Sequence, residues 1–356
     1  MATLPGRGTG DQPKNRFERT EYVADETLEG VTRAEDLPRR VALTEFIVDS
    51  SRSILAHNDS PDVPFTYSIN PYRGCEHGCA YCFARPTHEY LGYSAGLDFE
   101  TKILVKHDAP VLLRAALRDA KWVPETVTMS GVTDCYQPVE RKLKITRGCL
   151  EVFAEFRNPV CIVTKNHLVT RDIDVLAKLA ACSAVQVMVS VTTLDAGLTR
   201  ILEPRTSVPQ DRLRAIGELA AAGIQVGVMV APVIPGLTDH EMMAILAAAR
   251  EAGAVTAGFV PLRLPLAVKD IFAQWLADHL PDRRDKVLHR IEAVRGGKLN
   301  DCRFGERMKG SGIFAEQFKA MFEMGKRKCG YPTELPKLSA EAFCRPMEAG
   351  DQLPLF

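Results

Sequence analysis

The sequence lacks any stretch of 18 or more consecutive apolar residues, and its longest apolar segments are broken by Gly, Pro and charges. Nothing in it therefore reads as a membrane-spanning helix. It also lacks an excess of either charge: Lys plus Arg and Asp plus Glu stand at 45 each, without the basic surplus that marks many nucleic-acid-binding chains. No apolar run opens the chain, and its ten cysteines do not form the spacing pattern of a disulfide framework. Three are clustered and the rest scattered, which fits a reducing compartment, the cytoplasm, better than secretion. No internal repeat is visible beyond a rhythm of short β-rich and helical segments. At 356 residues and 46% hydrophobic content, the chain can bury a barrel-sized core without staples.

The clustered cysteines read Cys75-Glu-His-Gly-Cys79-Ala-Tyr81-Cys82, entered through Asn70-Pro-Tyr-Arg-Gly74. Three thiolates on one short loop can hold three irons of a four-iron cluster and leave the fourth iron open to a substrate or cofactor. The same three with His77 can also make a Cys3His zinc site, and cysteines can simply fill core space. The spacing favours the iron–sulfur reading. Its rival from another class is a non-catalytic protein in which Cys75, Cys79 and Cys82 hold zinc or a sensory cluster. Cys149, Cys161 and Cys182 fall in helix or strand patterns and read as core. Cys302, Cys329 and Cys344, at separations of 27 and 15, form no close pair and read as scattered thiols rather than an auxiliary cluster.

Residues 1–35, rich in Gly, Pro and alternating charge, read as a flexible arm without chemistry. Residues 36–65 read as a cap containing the strand-like run Leu43-Thr-Glu-Phe-Ile-Val48. From Thr66 to about residue 297, β-rich runs alternate with amphipathic segments, and 298–356 read as a helical C-terminal extension. Six strands are expected: 66–70, 126–131, 160–165, 185–192, 224–234 and 255–262. From 126 onward their starts lie 34, 25, 39 and 31 residues apart, room for a right-handed βαβ crossover each time. Asp108 before Pro110 signals one helix start and Thr238-Asp-His-Glu241 a capping box before another; Gly223 and Gly253 sit where helices end. The pattern is α/β, closing either a barrel or an open doubly wound sheet.

The cysteine string resembles the CxxxCxΦC signature of the radical S-adenosylmethionine (SAM) superfamily, with Tyr81 as the aromatic residue. The wording from Tyr67 to Cys75 and from Thr87 to Gly92 resembles its spore photoproduct lyase-like branch, over roughly Tyr67 to Leu264. The resemblance implies a partial (β/α)6 TIM-type barrel with its chemistry at the carboxyl ends of the strands. It implies a [4Fe–4S] cluster on Cys75, Cys79 and Cys82, with SAM chelating the open iron. It further implies reductive cleavage of SAM to a 5′-deoxyadenosyl radical, and a low-potential flavodoxin- or ferredoxin-type electron donor. Residue by residue, Lys165 and Ser190 carry over as SAM contacts, and Ser130 and Asp134 lie where relatives face the methionine end. Arg205, in Leu202-Glu203-Pro-Arg205, is either a SAM carboxylate partner or a structural ion pair. Ala231-Pro-Val-Ile234-Pro-Gly236-Leu-Thr-Asp239 resembles the fifth-strand GxIxGxxE motif with Asp at its end; Ile234 would face adenine and Gly236 would let the backbone approach it. Cys135 is a candidate hydrogen-atom donor near the mouth, although the branch's catalytic cysteine aligns with Gly131.

The substrate is left open by the sequence. Between 281 and 330, 13 Lys/Arg stand against 7 Asp/Glu, with Arg283, Arg284 and Lys286 in the densest part, a solvated helical face or a phosphate-contacting one. The resemblance points to a carbon–carbon bond reaction on a nucleic-acid base; a small molecule, a peptide or RNA fits the residues equally. Metal identity is read from colour: purified without oxygen, the protein is expected to be brown from a four-iron chromophore, and a colourless preparation containing zinc would favour the rival.

Overall fold

The computed structural model describes residues 4–19, 43–334 and 337–347. Among the described residues ten strands and eleven α-helices follow one another. Short strands β1 (Glu45–Val48), β2 (Ala56–His57), β3 (Tyr67–Ile69) and β4 (Tyr72–Arg73) precede helix α1 (Asp98–Thr101), β5 (Lys102–Val105) and α2 (Ala109–Arg118). Then come β6 (Val127–Met129), α3 (Glu140–Leu143), α4 (Ile145–Phe156), β7 (Val160–Thr164), α5 (Ile173–Ala180) and β8 (Val185–Ser190). Helices α6 (Ala196–Leu202) and α7 (Pro209–Ala221) lead to β9 (Gln225–Val233), α8 (Met242–Glu251) and β10 (Thr256–Pro261). The chain closes with α9 (Val268–His279), α10 (Pro281–Val294) and α11 (Gly312–Lys328).

The main sheet runs β10-β9-β8-β7-β6-β3-β2. Six of its strands, β3 and β6 to β10, are parallel neighbours, and β2 joins β3 antiparallel. These six lie inside the six expected segments. β2 and β10 are the free edges, so the sheet is a partial barrel. A polar latch crosses the gap: Asp62, in the loop before β3, accepts from the Gly305 amide (2.7 Å) and the Arg307 guanidinium, which also reaches Ser60. The second sheet, β1-β5-β4, lies beside the barrel and carries β4 directly into the cysteine loop.

Strand identity follows from β-branched runs whose one face packs on helices. Val160, Ile162, Val185, Val187, Val226 and Val228 share one apolar cluster with Leu150, Phe153, Leu176, Leu179, Ile216 and Ile245. Parallel strands covered by crossover helices have to be apolar on that face. The ladder places Thr164 beside Val189 and Ser190 beside Met229, so Lys165, one residue on, emerges level with Ser190 at the carboxyl ends. The expected capping box is not formed: Thr238 Oγ1 accepts from the Ile234 amide (3.0 Å) and a 3-10 turn at Asp239–Glu241 opens α8 instead. Glu241 is drawn off to the loop after β8, where it accepts from Thr193 Oγ1 and the Leu194 amide, both at 2.6 Å.

One expectation about the ends of the chain is revised. Residues 4–19, read as part of a flexible arm, pack on the cysteine loop through backbone and side-chain hydrogen bonds that leave no hydrophobic period in the sequence; the arm's remaining residues from 20 lie outside the described ones. Helix α11 docks on α8, with Gly325 against Leu246 and Met243 and Phe322 against Phe259. Among the described residues no helix is long and apolar enough to cross a membrane. Truncating the wholly buried Phe153 to Ala is expected to destabilise the apoprotein by about 3–5 kcal/mol, read from its urea midpoint.

Candidate active site

The cysteine loop is held by its backbone. The Cys75 amide donates to Phe99 O (2.9 Å), the Ala80 amide to Leu202 O (3.1 Å), and Thr133 Oγ1 to Gly74 O (2.6 Å). Arg85, with no exposed surface, turns back to give Cys79 O two bonds (3.1 and 2.9 Å) and Gly96 O one (2.9 Å), and pairs with the equally buried Glu100 at 2.5 Å. Glu76 is anchored from both ends, its amide to Gln137 Oε1 (2.9 Å) and its carboxylate from the Val139 amide (2.7 Å). Cys75 and Cys79 are buried and Cys82 is half-buried; all three are free thiols.

Burial pushes the Cys79 thiol up, and burial with the neighbouring Cys75 pushes Cys82 up to about 11. Ligation by cationic iron is what lets such thiols ionise. Among the described residues no three His, Cys, Asp or Glu side chains converge on one metal-ion position. Thiolates that each hold a different iron of a cluster need no such convergence, whereas a Cys3His zinc site does. His77 lies beside Cys75 with both ring nitrogens engaged, Nδ1 facing Asp134 (3.3 Å) and Nε2 facing the Asn166 amide nitrogen (3.2 Å). Three thiols on one short loop, with the ring nitrogens of His77 already bonded, fit a cluster that leaves one iron open.

Beside the loop lies a buried polar network with Glu203 at its centre. One carboxylate oxygen accepts from Tyr81 OH and Thr192 Oγ1 (2.7 Å) and faces Lys165 Nζ (3.1 Å); the other pairs with the buried Arg212. Lys165 Nζ also donates to Thr192 Oγ1 (3.0 Å) and Ala231 O (2.9 Å). Burial, then the Arg212 charge, pushes Lys165 down to about 7, and burial pushes Glu203 up against the pull of Arg212. Ile234 is buried in one apolar cluster with Cys79 and Tyr81. Lys165, Ile234 and the cysteine loop are therefore brought together, and Ser190, buried at the end of β8, gives its carbonyl to Arg212 (3.0 Å).

Other expected residues have different surroundings. Asp134 is consumed by the protein itself, accepting from the Lys165 amide (2.8 Å), Thr164 Oγ1 (2.8 Å) and the Tyr136 amide (2.9 Å). Ser130, at φ 86, accepts from the Cys135 amide (3.0 Å). Cys135 is wholly buried in the main apolar core. Burial pushes its thiol up, and a thiol so enclosed has no path to a substrate radical above the barrel. Arg205 pairs with Glu76 at 3.1 Å, the ion-pair alternative. At Gly236 (φ +78) an added Cβ would stand 3.0 Å from Arg290 Cδ, so that approach is filled by α10. Asp239 faces the same arginine (3.5 Å), and the carboxylate that holds the neighbouring loop is Glu241. Glu203, Thr192, Arg212, Arg85 and Glu100 were not foreseen as site residues. Glu203 left a trace in the sequence, in Leu202-Glu203-Pro-Arg205, and Thr192 in the polar run Ser190-Val-Thr-Thr at the end of the fourth strand.

His88 completes the support of the loop. It is wholly buried, bonds Lys102 O through Nε2 (2.9 Å) and packs edge-on against Phe99, and burial pushes it down to about 4. The unfolded chain, at the ordinary 6.5, therefore takes up a proton first as pH falls. The neutral ring's contribution is complete above pH 6.5 and is lost between there and pH 4. Between pH 7 and 5 the apoprotein is expected to lose about 2 kcal/mol through this group, a slope that His88→Asn should flatten in urea titrations.

Comparison with known proteins bears on the family and the fold. An uncharacterised protein of Mycobacterium tuberculosis is 38% identical over 271 residues, 73% of this chain and 78% of that one. An uncharacterised protein of Methanocaldococcus jannaschii is 31% identical over 175 residues, 49% of this chain and 63% of that one. Among solved structures, spore photoproduct lyase with bound AdoMet and dinucleoside spore photoproduct superposes with a TM-score of 0.59 at 17% identity, covering 81% of each chain, a likeness of fold. The sequence profile of the radical SAM superfamily matches residues 69–249. That match begins at the last residue of the first barrel strand, takes in the cysteine loop and spans half of the chain, and the protein belongs to the radical SAM superfamily of enzymes.

Proposed function

We propose that the protein binds a [4Fe–4S] cluster on Cys75, Cys79 and Cys82 and SAM beside it. When bound, these groups supply a 5′-deoxyadenosyl radical by reductive cleavage of SAM. The observation that carries the reading is the single buried assembly in which the three-thiol loop, Lys165, Glu203 and Ile234 meet at the carboxyl ends of the strands. Lys165 is placed to exchange its contact with Glu203 for the carboxylate of SAM, a charge-assisted bond of the same kind. Tyr81 and Ile234 offer apolar surface for adenine, and Glu203 holds Tyr81, Thr192 and Lys165 in register. The chain's own work is to bind, orient and exclude water. A flavodoxin- or ferredoxin-type donor fits the low potential such a cluster needs.

For the substrate, a carbon–carbon bond reaction on a nucleic-acid base is the reading favoured by the fold neighbour's ligand and by the cations of α10. Arg283, Arg284 and Lys286 are all exposed there, and Arg284 pairs with Asp285 (3.1 Å). The core chemistry is tested anaerobically: protein reconstituted with iron and sulfide, reduced with dithionite and given SAM should yield 5′-deoxyadenosine, and Cys79→Ala should lower the yield at least 100-fold. Equal yields would overturn the reading. For the substrate, binding of single-stranded DNA should weaken with salt and fall about tenfold or more on reversal of Arg283, Arg284 and Lys286 to Glu; no binding at low salt would count against nucleic acid.

A further inference from the structure

The segment Arg7–Arg16 lies main chain to main chain on the loop that carries the thiols. Gly8 is buried, and a Cβ built on it would stand 1.5 Å from Gly78 O and 3.2 Å from Ala80 N. Gly78 (φ +66) has no spare room on its other side, since a Cβ there would meet Glu100 Oε2 at 2.7 Å. Two glycines are thus required where the segment and the loop touch, between Cys75 and Cys79.

The Gly8 amide donates to Glu100 Oε2 (3.0 Å), whose partner oxygen pairs with Arg85, the residue that grips Cys79 O. Arg7 adds bonds to Glu100 O and Thr44 Oγ1, both at 2.9 Å. Further along, the Leu97 amide donates to Asp11 O (2.9 Å), Ser94 Oγ to Pro13 O (2.6 Å), and the buried Asn15 amide to Glu89 O (2.8 Å) and Tyr93 O (2.9 Å). Arg16 closes the series by pairing with Glu89 at 3.2 Å. Anchors at 8, 11, 13 and 15 fasten ten residues of irregular chain to one surface. Every anchor falls on the loop or on residues 89–100 that wall it.

A thiol loop needs such a wall for two physical reasons. The loop turns through left-handed glycines at 74 and 78, so its own backbone resists deformation weakly. The potential of an iron–sulfur cluster and its loss to solvent both depend on how far water reaches it. We propose that Arg7–Arg16 is a positioning element of the radical site, a strap that closes the cluster loop at Gly78 and sets both the retention of the cluster and the potential at which it is reduced. This rests on the cluster assignment made above.

The test compares anaerobically reconstituted wild type, Gly8→Val, which cannot seat on Gly78, and Lys14→Ala, whose side chain is exposed on the strap. The readouts are iron-release rate in air and midpoint potential by EPR-monitored titration. Gly8→Val is expected to release iron at least fivefold faster and to titrate at a less negative potential, because exposure favours the more charged reduced cluster, while Lys14→Ala matches wild type. Should Gly8→Val not fold, the chain lacking residues 1–19 is measured with and without a peptide of residues 4–19. Slowed iron release on adding the peptide supports the strap, and no effect overturns it. Wild type that fails to load four irons overturns the cluster assignment; loaded wild type with an unaltered Gly8→Val overturns the strap alone.

Discussion

The buried pair of Arg85 and Glu100 is the constraint on which the site depends. Neither has exposed side-chain surface, and a buried ion pair persists only if its remaining donors and acceptors are satisfied. Here they are, by the carbonyls of Cys79 and Gly96 on one side and the Gly8 amide on the other. Removing one partner of such a pair leaves an uncompensated charge, at about 3–5 kcal/mol. The thiol loop, the segment 85–100 and the N-terminal strap are consequently one unit, held by electrostatics where glycines leave few apolar contacts.

The barrel supplies a second fixed point. Parallel strands in register deliver Lys165, Ser190, Thr192 and Ala231 to one end of the sheet, and Glu203, at the end of α6, closes the network from above. Tyr81 joins the two halves, because its ring sits in the apolar cluster of the loop while its hydroxyl reaches Glu203. The aromatic residue before the last cysteine is thereby a structural tie. Arg212 and Lys165 share the Glu203 carboxylate, one on each oxygen.

The six barrel strands were legible because each is a β-branched run bounded by turn residues, and period and length suffice to locate such a run. The cluster cysteines were legible because their ligand spacing is local. The surroundings of Cys135 and Asp134 were not, since the burial of the one and the Thr164 and Lys165 donors of the other come from segments distant in the chain. The Thr238 box failed for a related reason. Its glutamate found better donors 47 and 48 residues away than the helix start beside it.

By itself the sequence determined the alternating β/α pattern, the six strand segments and the spacing of the three thiols, since these rest on hydrophobic period and on spacing within a few residues; barrel or open sheet it left undecided, because sheet closure is not local. Tertiary structure alone decided the company those thiols keep: the strap on Gly78, the Arg85–Glu100 pair, and Glu203 between Tyr81, Lys165 and Arg212. Each of these joins charged or polar groups from separate segments, and burial gives them their strength. Neither burial nor partner is written in the neighbouring residues.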